Sequence, residues 1–333
     1  MKINQIILSK LPKGKLDIYD FSIKESDLPS AKDGEISVRT LYIALDAASR
    51  AWMQGDTYRP ALQAGEVMAG IALAEVIESH VPHLVKGDLV IAETGWQTHA
   101  TLSADTLFAL PKLKPLTYLL SIYGVPGLTA YFGLLRCGKV EIGNTVVVSA
   151  AAGAVGSIVG QIAKIKGCRV IGIAGSTYKC SLLTKDFGFD EAIDYSTGNL
   201  EDKLRLICPD GIDIYFDNVG GNILDAALSN MKKGGRIVCC GAISQYDSDT
   251  PKANVIGVPG QLILKSLTMN GFLLFDYLNE QPQAFHDLSR WVSSGKLRVV
   301  EEIVEGLEQL PKSLVGLLNG ENIGKRIVKI ADI

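Results

Sequence analysis

The strongest constraint on the fold is an unbroken run of β-branched residues that leads into a turn of small residues. Residues 145–149 read Thr-Val-Val-Val-Ser, and such a run is typical of a strand buried on both faces of a parallel sheet. Residues 150–156 read Ala-Ala-Ala-Gly-Ala-Val-Gly, and a helical pattern of apolar residues follows over 157–166. The sequence therefore predicts a strand, a tight turn and a helix in direct succession.

This turn is suited to bind a dinucleotide. A pyrophosphate must approach the backbone N–H groups at a helix N-terminus, where larger side chains would block it. The candidate contacts are Gly153, Ala154, Val155 and Gly156. Because the first position of the usual fingerprint is Ala151 rather than glycine, the alternative is that the glycines serve only close packing of helix on sheet. The surrounding alternation of strands and helices favours the dinucleotide.

That alternation occupies the middle of the chain and predicts a doubly wound α/β domain. The predicted elements are strands at 169–174, 191–194, 212–217 and 236–240, with helices at 179–187, 200–207 and 223–231. The first ~120 residues instead show short strands without long helices, a pattern typical of a β-barrel. Those strands are predicted at 36–43, 71–77 and 88–92. The tail adds a helix near 309–318 and a strand at 326–330, which suggests a return to the first domain.

The residues after the second strand of the α/β domain indicate which dinucleotide is bound. An NAD site usually places a carboxylate about 20 residues beyond the glycine turn, where it binds the ribose 2'-hydroxyl. Here the strand ends with Gly175 and Ser176, followed by Thr177 and Lys179, and no carboxylate is present. A lysine and two hydroxyls can receive a 2'-phosphate, although Lys179 could equally be an ordinary solvated lysine. We expect NADPH rather than NADH.

Composition and cysteine placement exclude several classes of function. With a net charge of -3 and a pI of about 5.9, the chain is not expected to bind nucleic acid. The apolar stretch at 146–163 contains three glycines and fits a strand and helix better than a membrane span. Six scattered cysteines suggest free thiols in a reducing cytoplasm. No cysteine precedes Cys137, and His80 and His83 lie in a predicted loop, so no metal site is expected.

Several motifs together resemble the zinc-independent branch of the medium-chain dehydrogenase/reductases, in particular the prostaglandin and leukotriene reductases, 2-alkenal reductases and curcumin reductases. The matching motifs cover nearly the whole chain and lie at residues 94–97, 126–134, 151–156, 160–164, 216–221, 240–246 and 322–325. The resemblance implies a Rossmann domain combined with a GroES-like β-barrel. Its expected boundaries are 1–122 for the substrate domain, 123–297 for the NADP-binding domain and 298–333 for the return to the substrate domain.

The resemblance also implies roles for individual residues. Lys179 and Tyr195 match positions that hold the adenosine 2'-phosphate, and Asn218 and Asn322 match other cofactor contacts. Further contacts are expected on the nicotinamide side from Cys240, Gly241, Ala242, Ile243, Ser244, Tyr246, Phe272, Leu273 and Leu274. Tyr246 matches the position that donates a hydrogen bond or a proton to the substrate. A phenol suits this role because it donates to an oxyanion without carrying a competing charge.

The substrate side departs from the family. Residues 45–50 read Leu-Asp-Ala-Ala-Ser-Arg where the family often has Leu-Asp-Pro-Tyr-Met-Arg, so an expected aromatic is missing. Either Trp52, Tyr58 or Trp96 replaces it, or the pocket is larger. The expected reaction is NADPH-dependent reduction of the C=C bond of a small apolar enal or enone. The alternatives are a quinone reductase on the same fold and a non-catalytic NADPH-binding protein. The resemblance also suggests a homodimer, for which residues 263–275 could supply an edge strand.

Overall fold

A computed structural model describes residues 1–247 and 257–332. They form two compact units. The first unit contains Met1–Leu120, Glu301–Glu321 and Arg326–Ile333, and the second contains Ser121–Val300 and Asn322–Lys325. No helix in the described ranges is both long enough and apolar enough to cross a membrane.

The regular elements are numbered along the chain. The strands are β1 (Lys2–Leu8), β2 (Phe21–Asp27), β3 (Glu35–Ala44), β4 (Ala72–Ser79), β5 (Leu89–Ala92), β6 (His99–Ser103), β7 (Thr145–Val148), β8 (Arg169–Ala174), β9 (Glu191–Asp194), β10 (Ile212–Asp217), β11 (Met231–Cys239), β12 (Thr268–Gly271), β13 (Glu301–Glu305) and β14 (Lys325–Lys329). The α-helices are α1 (Ala48–Ala51), α2 (Val125–Phe132), α3 (Ala154–Ile165), α4 (Thr177–Asp186), α5 (Leu200–Ile207), α6 (Gly221–Ser229), α7 (Ile243–Tyr246), α8 (Val258–Lys265), α9 (Gln281–Ser293) and α10 (Leu310–Leu318).

The first unit is built around an antiparallel, barrel-like sheet. Its strand order is β13-β14-β3-β4-β5, with β6 also paired to β3. The long strand β3 is central because it pairs with β14, β4 and β6, and most of its side chains, including Ile36 and Val38, are buried. Helix α10 packs Leu310 and Leu314 into the same core as Trp96. This architecture confirms the predicted barrel-like fold of the N-terminal part.

The second unit is a parallel sheet with the strand order β12-β11-β10-β7-β8-β9. Strand β7 is central, and Val146, Val147 and Val148 are completely buried as the β-branched run predicts. Counted from β7, this is the Rossmann order in which the sequence of strands reverses between β7 and β10. The predicted fold class is therefore confirmed. Ligands bind such sheets at the carboxyl ends of the strands beside that reversal.

Several predicted boundaries differ from the structure. Helix α3 begins at Ala154 rather than at residue 157, because the small residues of the turn already form its first turn. Helix α6 ends at Ser229, and Met231, predicted as helical, begins β11 through its pairing with Ile212. Residues 263–275 do contain an edge strand, β12, but Ile263 lies in α8. All six cysteines are free thiols.

Candidate functional site

The turn between β7 and α3 is closely packed against its own helix. A Cβ atom on Gly156 would lie 2.4 Å from the carbonyl oxygen of Ala150 and 2.9 Å from Cα of Ala151. Gly153 is the N-cap of α3 and has no side chain to satisfy the first N–H groups of the helix. Those N–H groups lack partners within the helix and carry the positive end of its dipole. The turn therefore has the space and the donors that a pyrophosphate requires.

The tail of the chain contributes to the same turn. Gly324 forms a parallel bridge with Gly153, and its N–H donates to the carbonyl of Ala152 at 2.8 Å. Gly324 has a φ of +66°, and a Cβ there would clash with the carbonyl of Val300. Only glycine therefore fits at position 324 beside Val300, while the bridge and the hydrogen bond to Ala152 bring the returning segment close to the turn. Asn322 holds the segment's shape by donating from Nδ2 to the carbonyl of Gly324 at 2.9 Å.

The three residues predicted to bind a 2'-phosphate lie at one corner of the site. Ser176 is the N-cap of α4 and accepts a hydrogen bond from the N–H of Lys179 at 3.3 Å. Lys179 Nζ donates to the carbonyl of Asn322 at 2.7 Å, so this ammonium also holds the returning segment. The phenol of Tyr195 lies 3.1 Å from where a Cβ of Gly175 would be. The structure therefore brings Ser176, Lys179 and Tyr195 together.

Thr177 contributes differently. Its hydroxyl donates to Asp194 Oδ2 at 3.2 Å, so it binds the last residue of β9. Hydrogen bonds from Ser196, in first place, and from Thr177 hold the pKa of the Asp194 carboxyl below its usual range. The carboxylate missing from the end of β8 thus occurs one strand further, paired to hydroxyl groups.

Asn218 follows the end of β10 and is fixed to the end of β7. Its backbone N–H donates to Ser149 Oγ at 2.9 Å, and its Nδ2 donates to the carbonyl of Ser149 at 2.8 Å. Both residues lie where the strand order reverses, as expected for a cofactor contact. Asn218 is only partly buried.

The segment 240–246 lies against the turn after β10. The N–H groups of Cys240 and Gly241 donate to the carbonyl of Asp217, at 2.9 and 3.1 Å. The Ser244 hydroxyl donates to the carbonyl of Val219 at 2.6 Å. A Cβ on Gly241 would lie 3.1 Å from the carbonyl oxygen of Asn218, so this glycine permits the close approach. The predicted nicotinamide-side segment and Asn218 therefore form one continuous surface.

Tyr246 ends the short helix α7 on this surface. Its phenol oxygen accepts a hydrogen bond from the N–H of Ala242 at 3.2 Å. The pKa of Tyr246 is raised above its usual value, mainly by burial. The nearby Cys240 and Asp217 side chains also raise this pKa, whereas the hydrogen bond from the Ala242 N–H lowers it. Tyr246 is therefore a phenol at neutral pH and able to act as a hydrogen-bond or proton donor.

The segment 272–274 directly follows the edge strand β12. The ring of Phe272 packs on α2 so closely that a Cβ on Gly133 would lie 2.6 Å from it. Gly133 begins a π-helical turn, Gly133–Cys137, that extends α2. Leu273 is 46% exposed and Leu274 is partly buried. Their predicted backbone contacts with the cofactor remain predictions.

The three aromatic residues predicted to contact substrate belong to the first unit. Trp52 Nε1 donates to Tyr58 Oη at 3.1 Å, and the two rings meet edge to face at 6.3 Å. Tyr58 is half exposed, and the Arg59 guanidinium covers Trp52 at 4.8 Å from its ring centre. Trp96 is completely buried and stacks on Phe21 at 5.5 Å. Trp96 and Trp52 therefore both belong to the core, and of these three residues Tyr58 is the one that offers exposed aromatic surface.

Two buried residues of this site were missed by the sequence reasoning. Ser149 is completely buried and directly follows β7. Asp217 is 3% exposed and is the last residue of β10. The available signal was a polar residue at the carboxyl end of an otherwise apolar strand, where α/β proteins place ligands.

No group of three or more His, Cys, Asp or Glu side chains within residues 1–247 and 257–332 could hold a metal ion.

Comparisons with known proteins agree with this architecture. Residues 4–110 match the family described as "N-terminal domain of oxidoreductase", and residues 154–294 match "Zinc-binding dehydrogenase". Prostaglandin reductase 1 of Bos taurus is 45% identical, over 93% of this chain and 94% of the relative. The 2-alkenal reductase (NADP(+)-dependent) of Nicotiana tabacum is 41% identical, over 98% of this chain and 97% of the relative.

A solved structure is similar over its whole length. The crystal structure of CurA from Vibrio vulnificus in complex with NADPH is 39% identical and superposes with a TM-score of 0.94. The superposition covers 99% of this chain and 100% of CurA.

Proposed function

Since the chain belongs to the medium-chain dehydrogenase/reductase family that includes the prostaglandin and 2-alkenal reductases, we propose that it reduces the C=C bond of α,β-unsaturated aldehydes or ketones with NADPH. The observation that carries this proposal is the full-length similarity to a 2-alkenal reductase. The placement of Tyr246 beside the turns at the carboxyl ends of the central strands supports it.

The residues of the second unit fit the cofactor. The N-terminus of α3 would hold the pyrophosphate, since Gly153 and Gly156 leave its N–H groups accessible. Ser176, Lys179 and Tyr195 would hold the 2'-phosphate, which a lysine ammonium and two hydroxyls can bind by charge-assisted hydrogen bonds. When bound, NADPH supplies a hydride to the β-carbon of the substrate.

Tyr246 performs the complementary step. As a hydride reaches the β-carbon, negative charge develops on the substrate's carbonyl oxygen, where a hydrogen-bond donor stabilises it. The Tyr246 phenol keeps its proton at neutral pH because burial raises its pKa. A proton then goes to the α-carbon, from Tyr246 or from water, to complete the saturated carbonyl product. This chemistry needs no metal ion, and we propose that the enzyme works without one.

We place the substrate's apolar tail near Trp52 and Tyr58. These rings are fixed to each other by a hydrogen bond, and Tyr58 offers exposed aromatic surface. They follow shortly after residues 47–49, where the sequence departs from the family. An apolar enal or enone suits such a surface, because aromatic rings bury a large apolar area.

The test compares two substrate classes with purified protein. Enals such as 2-nonenal should consume NADPH, with formation of the saturated aldehyde, whereas benzoquinone should react more slowly. Consumption of NADPH with quinones but never with enones would support the alternative, a quinone reductase. Tight binding of NADPH without turnover on any carbonyl would indicate a non-catalytic protein.

We also propose a homodimer that works in the cytoplasm. Among residues 1–247 and 257–332, β12 is an edge strand of the parallel sheet, and an edge strand can pair with another chain. Beside it, Ile263 and Leu264 on α8 are each 79% exposed, which is unusual for large apolar side chains and typical of an interface. Sedimentation velocity should give twice the monomer mass. Charged substitutions at both Ile263 and Leu264 should reduce the measured mass to that of the monomer.

A further inference from the structure

The carboxyl end of β10 carries a buried acidic group that the proposed reaction does not use. Asp217 is 3% exposed, and one of its oxygen atoms, Oδ1, receives several hydrogen bonds. The donors are Tyr215 Oη at 2.8 Å, Ser149 Oγ at 3.3 Å, Val219 N at 3.0 Å and Gly220 N at 2.9 Å. A buried oxygen that collects two backbone N–H groups and two hydroxyls fixes the shape of the turn that follows it.

Asp217 connects both neighbouring strands of the sheet, through its side chain on one side and its backbone carbonyl on the other. Ser149 at the end of β7 donates to Asp217 and accepts from the N–H of Asn218, so it links the two residues. The carbonyl of Asp217 accepts from the N–H groups of Cys240 and Gly241 after β11. The ends of β7, β10 and β11 are therefore joined through one residue.

The connection determines the orientation of Asn218. The carbonyl of Ser149 can only accept, so the Asn218 side chain must direct its NH2 group there. Within the described part of the chain, no hydrogen bond reaches the amide oxygen of Asn218. The amide oxygen is thus an acceptor available to a ligand.

We propose that Asp217 is a positioning residue of the dinucleotide site: it holds the turn after β10 so that Asn218 presents its amide oxygen to the nicotinamide half of the cofactor. In this fold the two halves of a dinucleotide bind on opposite sides of the strand reversal. The adenosine half lies towards β8 and β9, where Ser176, Lys179 and Tyr195 are found. Asp217 and Asn218 lie on the other side, towards β11.

The position of Asp217 on the nicotinamide side of the strand reversal allows a test that separates the two halves of the cofactor. Asp217→Asn keeps the shape of the side chain but replaces the carboxylate oxygen with a weaker acceptor. We expect the Kd for NADPH to rise about 10-fold, the loss in affinity that corresponds to one weakened hydrogen bond to a charged group. The Kd for 2',5'-ADP, which contains only the adenosine half, should change less than about 2-fold because its contacts are untouched. Both constants are measured by calorimetric titration, independently of turnover.

Two further variants complete the design. Ser149→Ala breaks the link between Asp217 and Asn218 with little change in volume, and it should reproduce the selective loss if Asp217→Asn fails to fold. Asp213→Asn is the matched control, since Asp213 also accepts a backbone N–H, from Thr145 at 2.8 Å, but lies at the opposite end of β10. Its affinities for both ligands should stay within about 2-fold of the wild type, even where its Tm falls.

The outcomes separate this inference from the proposed function on which it rests. Equal losses for NADPH and 2',5'-ADP, or no loss for either, would overturn the positioning role of Asp217 while leaving the cofactor assignment intact. Wild-type protein that binds neither ligand would overturn the cofactor assignment itself. A loss of NADPH affinity alone, in Asp217→Asn or Ser149→Ala and not in Asp213→Asn, supports the inference.

Discussion

Replacement of Lys179 by alanine should reduce the preference for NADPH. Lys179 Nζ donates to the carbonyl of Asn322 at 2.7 Å and lies on the same helix turn as Ser176. In the alanine variant, the 2'-phosphate loses its cationic partner, and the returning segment loses one attachment. The second loss affects NADPH and NADH alike, because it does not involve the phosphate.

The magnitude follows from the phosphate contact alone. A hydrogen bond between charged groups contributes about 1.5–3 kcal/mol, which corresponds to roughly 10- to 150-fold in affinity. The loss of the Asn322 attachment cancels when the two cofactors are compared. The ratio of the NADH and NADPH dissociation constants should therefore fall by about 10-fold or more.

The assay measures both dissociation constants for the wild type, Lys179→Ala and a control. Lys185→Ala is a suitable control because it removes the same charge from an exposed position on the same helix, α4. Its ratio should match that of the wild type. Equal losses of NADPH and NADH affinity in Lys179→Ala would refute the reasoning, since they would show that Lys179 acts only through Asn322.

Two other substitutions examine the catalytic group and the phosphate turn. Tyr246→Phe should lower kcat for enone reduction about 100-fold while the Kd for NADPH stays within about 2-fold. Because burial raises the pKa of the Tyr246 phenol, which must keep its proton to donate it, the wild-type rate should decline only at pH values above the ordinary tyrosine range. The same alkaline decline in Tyr246→Phe would argue against this role. Gly156→Ala should weaken NADPH binding more than about 10-fold, since its Cβ would lie 2.4 Å from the Ala150 carbonyl. Gly260→Ala, where the space is open, should leave binding unchanged and stabilise the fold by about 0.5–1 kcal/mol in thermal melts, and equal effects of the two alanines would contradict the steric argument.

The fold could be predicted where local sequence and tertiary environment agree. The Val146–Val148 run identifies a central strand because only a site covered on both faces accepts three consecutive valines. Strand β11 could be predicted only in part, since its first residues are Met231, two lysines and two glycines. That half of the strand depends on pairing with Ile212, a contact that no local pattern encodes.

The same distinction applies to the candidate site. Gly153 and Gly156 could be found from sequence because their role depends on the absence of a side chain. The role of Asp217 depends on Ser149, which is distant in sequence and reaches it only through the pairing of β7 with β10. Such contacts become visible only when the sheet is assembled.

The attachment of Gly324 to the phosphate turn has a consequence for biosynthesis. The glycine turn leaves the ribosome early, but Asn322 and Gly324 are synthesised only after the whole of α9 and α10. Gly153 and Ala152 gain their partner, and Lys179 its carbonyl, at that late moment. A nascent chain therefore carries an unfinished cofactor turn through about half of its synthesis, and NADPH can stabilise the second unit fully only once the tail has been made.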